Sequence, residues 1–394
     1  MQRKKTPLPI IVFSQFAGTS LWFVGNAVLP ELKEAMHLSQ YAVSLVTSAV
    51  MLGFVAGTLF SAILSIADRF SPVKVFLFSN IAGAVMNLLV IWLATSDVSL
   101  FVLRFMVGFF LAGIYPVGMK IAADWYDTRL GRAMGFLLGA LVLGTAFPHL
   151  LKNRSFKLPW EMVLMITSAM ATMGGLLMYW RVGDGPNRKK AGSFEWSAIP
   201  SIFSSLQWRR AAFGYFGHMW ELYTFWGFLP LMLALYGQIN RVEYNIPLLS
   251  FSIIASGVVS SIVGGIAAQK FGSDKVATVA LTISGTISLI SPFLFQLPPV
   301  FFFFFVLLWG FAVNPDSPQF STLVSFYAPA HLRGTALAIY NAIGFSIATI
   351  SLYLFDRIFQ STGFWGGTHS FSILALGALF GVPPMLRLIK RRSV

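Results

Sequence analysis

Cysteine is absent from the 394-residue sequence, which excludes a disulfide framework, a thiolate metal site, a cysteine nucleophile and an iron–sulfur cluster. Charge is scarce too: Asp, Glu, Lys and Arg make up 11% of the chain, and 14 acidic residues stand against 39 Phe and 11 Trp. Such a polar inventory is too small to coat a water-soluble globule of this length. No Gly-x-x-x-x-Gly-Lys-Ser/Thr run offers a phosphate cradle, so drive by ATP is not expected. What the chain does have is apolar bulk, 56% hydrophobic residues and a mean hydropathy of +0.74. It reads as an integral membrane protein.

The net charge of +14 does not point to nucleic acid, because the bases sit in the gaps between apolar runs instead of forming one basic face. A helix needs about 20 largely apolar residues to cross the hydrocarbon layer. Windows of this kind fall at about 8–30, 41–66, 75–95, 98–122, 133–151, 162–180, 211–236, 246–268, 276–296, 300–323, 334–355 and 370–386. The basic segment before the first window leads into an apolar run longer than a signal peptide's, without a clear cleavage site, and is read as a retained first span. The fold class expected is all-α, twelve transmembrane helices in two pseudo-symmetric six-helix bundles.

Lys and Arg distribution sets orientation. One set of loops holds Arg3, Lys4, Lys5, Arg69, Lys74, Arg129, Arg132, Arg181, Arg188, Lys189, Lys190, Arg209, Arg210, Lys270, Lys275, Arg333, Arg387, Lys390, Arg391 and Arg392; the other holds only Lys33, Lys152, Arg154, Lys157, Arg241 and Arg357. Both termini are therefore expected in the cytoplasm. The polar stretch after the sixth window divides the chain into residues 1–181, a cytoplasmic linker 182–210, and residues 211–394. Offsetting the halves by about two hundred residues aligns Leu29-Pro30 with Leu229-Pro230, Asp68-Arg69-Phe70 with Gln269-Lys270-Phe271, Lys74 with Lys275, Tyr115-Pro116 with Asn314-Pro315, and Gly131 with Gly334. Internal repeats of this kind characterise transporter folds.

The loop Ala67-Asp68-Arg69-Phe70-Ser71-Pro72-Val73-Lys74 resembles the major facilitator superfamily signature Gly-x-x-x-Asp-Arg-x-Gly-Arg-Lys, with Leu64, Ser71 and Pro72 in place of the two glycines and the first closing base. The second copy, Gly265 to Lys275, keeps Gly265, Lys270 and Gly272 but has Gln269 for the acid. Arg104-x-x-x-Gly108-x-x-x-x-Gly113 is similar to the family's span-four motif, whose Arg faces the central cavity and is tied to proton coupling. Span five, with Gly135, Gly139, Gly144 and Pro148, matches the Gly-Pro motif of antiporters only in part. The Gly-rich, Asn-containing runs of the nitrate branch are not reproduced. The resemblance covers essentially the whole chain. It implies a multi-pass protein of a bacterial inner membrane, acting as a monomer without a cofactor.

An ionisable residue inside hydrocarbon is costly and is a functional candidate by default. Within the windows these are Arg104, Lys120, His149, His218, Glu221 and Asp316. His218 and Glu221, three apart near the middle of span seven, share a helical face and can share a proton; alternatively Glu221 is a structural carboxylate clamped to Arg104 or to a Trp N–H. Arg104 has a planar fork suited to an anion. Lys120 either snorkels to the interface or pairs with Asp124, and His149 lies at an outer helix end. Asp316 sits in Asn314-Pro315-Asp316-Ser317-Pro318, where two prolines interrupt the helical ladder; Tyr115-Pro116 is its counterpart. Gln15, Trp22, Asn26, Trp220, Tyr223, Tyr340 and Asn341 are cavity-lining candidates at similar depth. Proton coupling is assigned to Glu221, His218, Asp316 and Arg104. Asp68, Arg69, Asp124 and Arg129 are expected to form a cytoplasmic latch. Gly53-x-x-x-Gly57-x-x-x-Ser61 and the Ser252–Gly264 row are small-residue packing seams.

The expected activity is proton-coupled transport of a small polar or anionic organic solute by alternating access; its partners are that solute, protons and the bilayer, and not nucleic acid. Export of drugs or siderophores by antiport is the alternative. A further alternative is a non-transporting membrane receptor or an enzyme on the same fold; the enzyme is not expected, since two intramembrane acids are too few for a metal cage.

Overall fold

A computed structural model describes residues 7–126, 130–188, 199–329 and 332–390. The described residues are helical and contain no strand. With no water in the bilayer core, each backbone group must be satisfied within its own segment, and only helices do so for an apolar run. Among the described residues eleven helical stretches are long and apolar enough to cross a membrane, four of them, Asp97–Trp125, Trp160–Val182, Pro299–Tyr327 and Gly366–Ile389, made of more than one element, and Leu8–Thr19 is a shorter apolar helix. In chain order the elements are α1 (Leu8–Thr19), α2 (Val24–Ala27), α3 (Leu29–Ala35), α4 (Ala42–Ile63), α5 (Ile66–Arg69), α6 (Pro72–Leu93), α7 (Asp97–Leu111), α8 (Tyr115–Trp125), α9 (Leu130–Leu151) and α10 (Trp160–Leu177). After a π-helical turn at Met178–Val182 come α11 (Ile199–Ser204), α12 (Leu206–Asn240), α13 (Ile246–Phe271), α14 (Ser273–Leu294), α15 (Pro299–Ala312), α16 (Ser317–Tyr327), α17 (Arg333–Ser361), α18 (Gly363–Ser370) and α19 (Ala375–Lys390).

Three of the apolar windows are broken near their middles. The first, read as one helix, is three short ones. Thr19 and Ser20 turn their hydroxyls back onto the carbonyls of Gln15 and Ala17, and the chain leaves the helix there. The fourth window breaks between α7 and α8, ahead of Pro116, and the tenth between α15 and α16, at Asn314-Pro315. The paired prolines foresee these two, because proline removes a donor and crowds the preceding turn. By contrast α12 runs unbroken for 35 residues through Pro230. It begins at Leu206, earlier than its apolar window, because the Ser205 hydroxyl caps it by accepting from the Trp208 N–H.

Packing follows the small residues. A Cβ on Gly53 would strike the Phe105 carbonyl, and one on Gly108 the Val50 carbonyl, so α4 and α7 touch backbone to backbone. In the second half Gly257 and Gly264 of α13 receive Asn314 and Pro315 from the break in the tenth window. Within the first half α4 packs on α7, α6 on α7 and α10, and α1 on α9 and α10. In the second half α12 packs on α17 and α19, and α14 on α15 and α19. The two halves meet where α4 lies along α17 and α9 along α13.

Side-chain hydrogen bonds join these halves at the ends of the helices remote from the termini. Ser44 donates to Asp356, Arg357 to the Tyr41 hydroxyl at 3.2 Å, Gln360 to the Gln40 carbonyl at 3.1 Å, and Asn245 to the Asn153 amide oxygen at 2.6 Å. Arg357 also lies 4.4 Å from the centroid of the Tyr41 ring.

Candidate functional site

Two buried polar clamps hold the halves internally. In the first half, Arg104 donates from Nη1 to Asn87 Oδ1 at 3.0 Å and from Nη2 to the carbonyls of Leu21 and Trp22 at 3.0 and 2.9 Å. Those carbonyls lie in the break between α1 and α2, where no helical N–H reaches them. The guanidinium thus replaces the missing ladder of the broken helix, and its side chain is 1% exposed. Arg104 does not meet Glu221, and its fork is occupied by main chain instead of being open to a solute.

In the second half, Glu221 accepts from Trp309 Nε1 at 2.6 Å and from Ser284 Oγ at 2.8 Å, joining α12, α14 and α15. Trp309 stacks on Phe225 one turn further along α12, with centroids 4.4 Å apart. This realises the Trp N–H alternative for the carboxylate. Glu221→Ala leaves the Trp309 N–H without an acceptor and the Ser284 hydroxyl with only the Leu281 carbonyl, and is expected to cost about 1–3 kcal/mol, given roughly 0.6 to 1.7 kcal/mol per hydrogen bond in membranes. Glu221→Gln can still accept from Trp309 and donate to Ser284, so its thermal unfolding in detergent is expected to stay near that of the parent.

His218 meets a different acid. Its Nδ1 lies 3.0 Å from Asp316 Oδ1, and both side chains are fully buried. By strict geometry neither ring nitrogen of His218 and neither oxygen of Asp316 completes a hydrogen bond, but the His218 ring and the backbone N–H groups of Asp316 and Ser317 stand close enough to act on the carboxylate. Two fully buried ionisable groups facing each other at a helix break are uncommon in an apolar interior, and they can exchange a proton. Glu221 lies within Coulombic reach of Asp316, although it shares no proton site with His218.

Around this pair the second half places aromatic rings. Tyr215 stacks on Tyr340 with centroids 3.7 Å apart, lies parallel to the His218 ring at 5.9 Å, and donates to Asn341 Oδ1 at 3.1 Å. Tyr115 comes from the first half, at the start of α8, and lies within Coulombic reach of Tyr215, Tyr223 and Tyr340. Trp22 stacks on Tyr223 and on Phe345, each at 5.9 Å, while Phe54 contacts Phe345 at 4.7 Å. Among the described residues the Tyr115 and Tyr223 hydroxyls have no hydrogen-bond partner. Four tyrosines, Asn341 and a stacked Trp22 therefore converge where the halves meet, next to His218 and Asp316.

Other candidates lie elsewhere. Gln15 is buried inside the first half against Gly118, with its amide unpaired. Asn26 donates to Thr47 at 2.6 Å, and Asn314 to the Gly310 carbonyl at 2.9 Å. Trp220 points away from the tyrosines and donates to the Ile373 carbonyl. His149 is buried near the far end of α9, with Nε2 unpartnered. The Asp68 side chain and Arg129 lie outside the described residues. Arg69 is exposed at the end of α5. Asp124 is buried near the end of α8, and its carbonyl accepts from the Asn187 N–H. The loop carrying Arg69 is held by the segment after α10: Ser71 donates to Asp184 at 2.8 Å, and Arg188 donates to Asp184 and to the Phe70 carbonyl.

Sequence reasoning missed Tyr215, since one tyrosine among many carries no signal, and Asp356, which was left outside the eleventh window. α17 continues to Ser361, and Asp356 is fully buried within it. Among the described residues no group of His, Cys, Asp and Glu is arranged to hold a metal ion.

A chain of long apolar helices, three of them broken, two of these beside the buried ionisable groups Arg104 and Asp316, is a multi-pass membrane protein. The sequence profile of the Major Facilitator Superfamily matches residues 11–353, and the chain belongs to that family. It is 24% identical over 219 residues to the MFS-type transporter hasB of Aspergillus fumigatus, covering 52% of this chain and 48% of that protein. It is 30% identical over 118 residues to the probable galactarate/D-glucarate transporter GarP of Escherichia coli K12, covering 29% and 26%. The chain thus spans about half the length of the first of these relatives and about a quarter of the second. Among solved structures it superposes on the human organic anion transporter MFSD10 (TETRAN) with a TM-score of 0.75 at 15% identity, covering 98% of this chain and all of that one. An inward-facing, unoccupied bacterial homologue of the lysosomal transporter Spinster gives 0.70 at 14% identity, covering 97% and 94%. Likeness at that identity concerns the fold.

Proposed function

We propose that the protein is a proton-coupled secondary transporter of a small polar or anionic organic solute, operating by alternating access. Two six-helix bundles, residues 1–181 and 211–394 joined by 182–210, rock about the seams α4·α17 and α9·α13, which supply the contacts between the halves. With both termini in the cytoplasm of a bacterial inner membrane, as the Lys and Arg distribution indicates, the Ser44–Asp356 and Asn153–Asn245 ties fall on the outer side. The conformation is then the one closed to the outside.

The observation that carries the reading is the fully buried His218–Asp316 contact at the helix break, beside an aromatic seat shared by the two halves. A proton bound there changes the charge next to the solute, and a charge change beside the cargo couples the two movements. The unpaired hydroxyls of Tyr115 and Tyr223 suit carboxylate or hydroxyl oxygens, and Trp22 and Phe345 supply a stacking surface for the carbon skeleton. GarP is named for sugar diacids and MFSD10 for organic anions, which accords with such a cargo. The aromatic lining of Trp22, Phe54, Tyr223 and Phe345 also favours a second reading, export of bulky drugs or siderophores by antiport.

The test is proton flux. Proteoliposomes carrying a pH-reporting dye are presented with sugar acids, amino acids, other organic anions and siderophores, each down its own gradient. Symport moves protons with the solute and antiport against it. Solute uptake by the protein with no accompanying pH change overturns proton coupling.

A further inference from the structure

At the terminus-bearing end of the first half, α4, α6 and the α7–α8 junction leave a groove of about 500 Å³. Its apolar walls include Phe60, Phe78, Phe109 and Phe110, and Arg69 and Lys74 stand on its rim. Gly57 and Gly113 let the helices that line it approach closely: a Cβ on Gly57 would strike the Phe109 carbonyl, and one on Gly113 the Ser79 hydroxyl. Phe78 is 65% and Phe60 48% exposed, so the trough opens sideways, where an apolar surface on a membrane protein meets acyl chains. Among the described residues neither Arg69 nor Lys74 forms an ion pair with a carboxylate.

A trough walled by aromatic rings and lined by two cations that form no ion pair among the described residues is complementary to one amphiphile, a chain-bearing phosphodiester with net negative charge. The geometry points to a binding site for an anionic glycerophospholipid of the phosphatidylglycerol type. Its phosphate sits between Arg69 and Lys74, and an acyl chain lies along Phe78 and Phe110. Arg69 offers a planar fork to the phosphate oxygens and Lys74 a compact charge. A zwitterionic lipid fills the trough equally well but brings no net charge to the rim. The site lies apart from the tyrosine cluster, on the outside of the first half. A lipid held there braces the α5 loop, which Asp184 and Arg188 already grip from the other side.

The experiment is lipid titration of the purified full-length protein, read by native mass spectrometry and by thermal unfolding, with dioleoyl phosphatidylglycerol against dioleoyl phosphatidylcholine. Each base near an anionic headgroup contributes roughly fivefold in affinity. The Arg69→Gln/Lys74→Gln variant is therefore expected to bind the anionic lipid about thirtyfold more weakly and to lose its preference for that lipid over the zwitterionic one, which presents the same phosphodiester without net charge. The charge-matched control Lys270→Gln/Lys275→Gln removes the pseudo-equivalent bases of the second half and is expected to leave the preference intact. Phe78→Glu places an acid in the trough and is expected to weaken the anionic lipid as well, keeping the test open should the first variant express poorly. Equal loss in the control variant, or an undiminished preference in the Arg69/Lys74 variant, overturns the assignment. Displacement of the lipid by inorganic phosphate would mean a free-phosphate site, and also overturns it.

Discussion

Asp316→Asn is expected to abolish gradient-driven accumulation while leaving solute exchange intact. One proton moved per solute across a difference of one pH unit supplies about 1.4 kcal/mol, enough for roughly tenfold accumulation. Without a titrating group at the break between α15 and α16 that ratio should fall to about one. Exchange of labelled for unlabelled solute needs no net proton movement and should continue. The fold should tolerate the change, because Asn is isosteric, Pro315 and Pro318 set the break, and His218 can shed its proton and so leaves no uncompensated buried charge. His218→Gln is expected to behave in the same way, since His218 Nδ1 and Asp316 Oδ1 stand 3.0 Å apart and act as a unit. Glu221→Gln should retain accumulation, because Trp309 and Ser284 already occupy both of its oxygens. Counterflow and pH-driven uptake in the same proteoliposome batch separate these outcomes. Accumulation by Asp316→Asn, or its loss in Glu221→Gln alone, would move the proton site from Asp316 to Glu221.

The helices were legible in the sequence because a bilayer admits only apolar runs of a narrow range of lengths, and the breaks at Tyr115-Pro116 and Asn314-Pro315 because proline cannot continue a ladder. The break after Thr19 was not legible, since hydroxyl groups cause it and they also occur within intact helices. Candidate residues were found by type and depth, which works for His218 and Asp316, where charge in hydrocarbon is itself the signal. Partners were a different matter. A spacing of three places His218 and Glu221 on one face, but whether they meet each other or separate groups on the tenth window depends on the rotation of a neighbouring helix, which no local pattern encodes. The tyrosine cluster is harder still: Tyr115, Tyr215, Tyr223 and Tyr340 come from three helices in two halves, and each alone looks like ordinary packing. Asp356 escaped because hydropathy falls one turn before its helix ends.

Arg104 poses the sharpest contrast between a solute-binding and a structural role, and the two predict opposite orders of severity for its substitutions. Burying a guanidinium costs several kcal/mol, and no carboxylate repays it among the described residues. Its three hydrogen bonds go to neutral acceptors and return roughly 0.6 to 1.7 kcal/mol each. The two sums nearly cancel, so Arg104→Met, apolar and of similar reach, sheds the burial cost together with the bonds and should change stability by no more than about 2 kcal/mol. Arg104→Lys keeps the charge but has no planar fork to reach Asn87 and two carbonyls on another helix at once. It retains the cost and forfeits most of the return, and is expected to be less stable than Arg104→Met by about 1–3 kcal/mol in thermal or denaturant unfolding of the detergent-solubilised protein. Solute affinity should fall comparably in both, because each releases the Leu21–Trp22 segment that seats Trp22 against Tyr223 and Phe345. A guanidinium that grips an anionic cargo gives the reverse result: Lys preserves part of the affinity, Met removes it, and the two unfold alike.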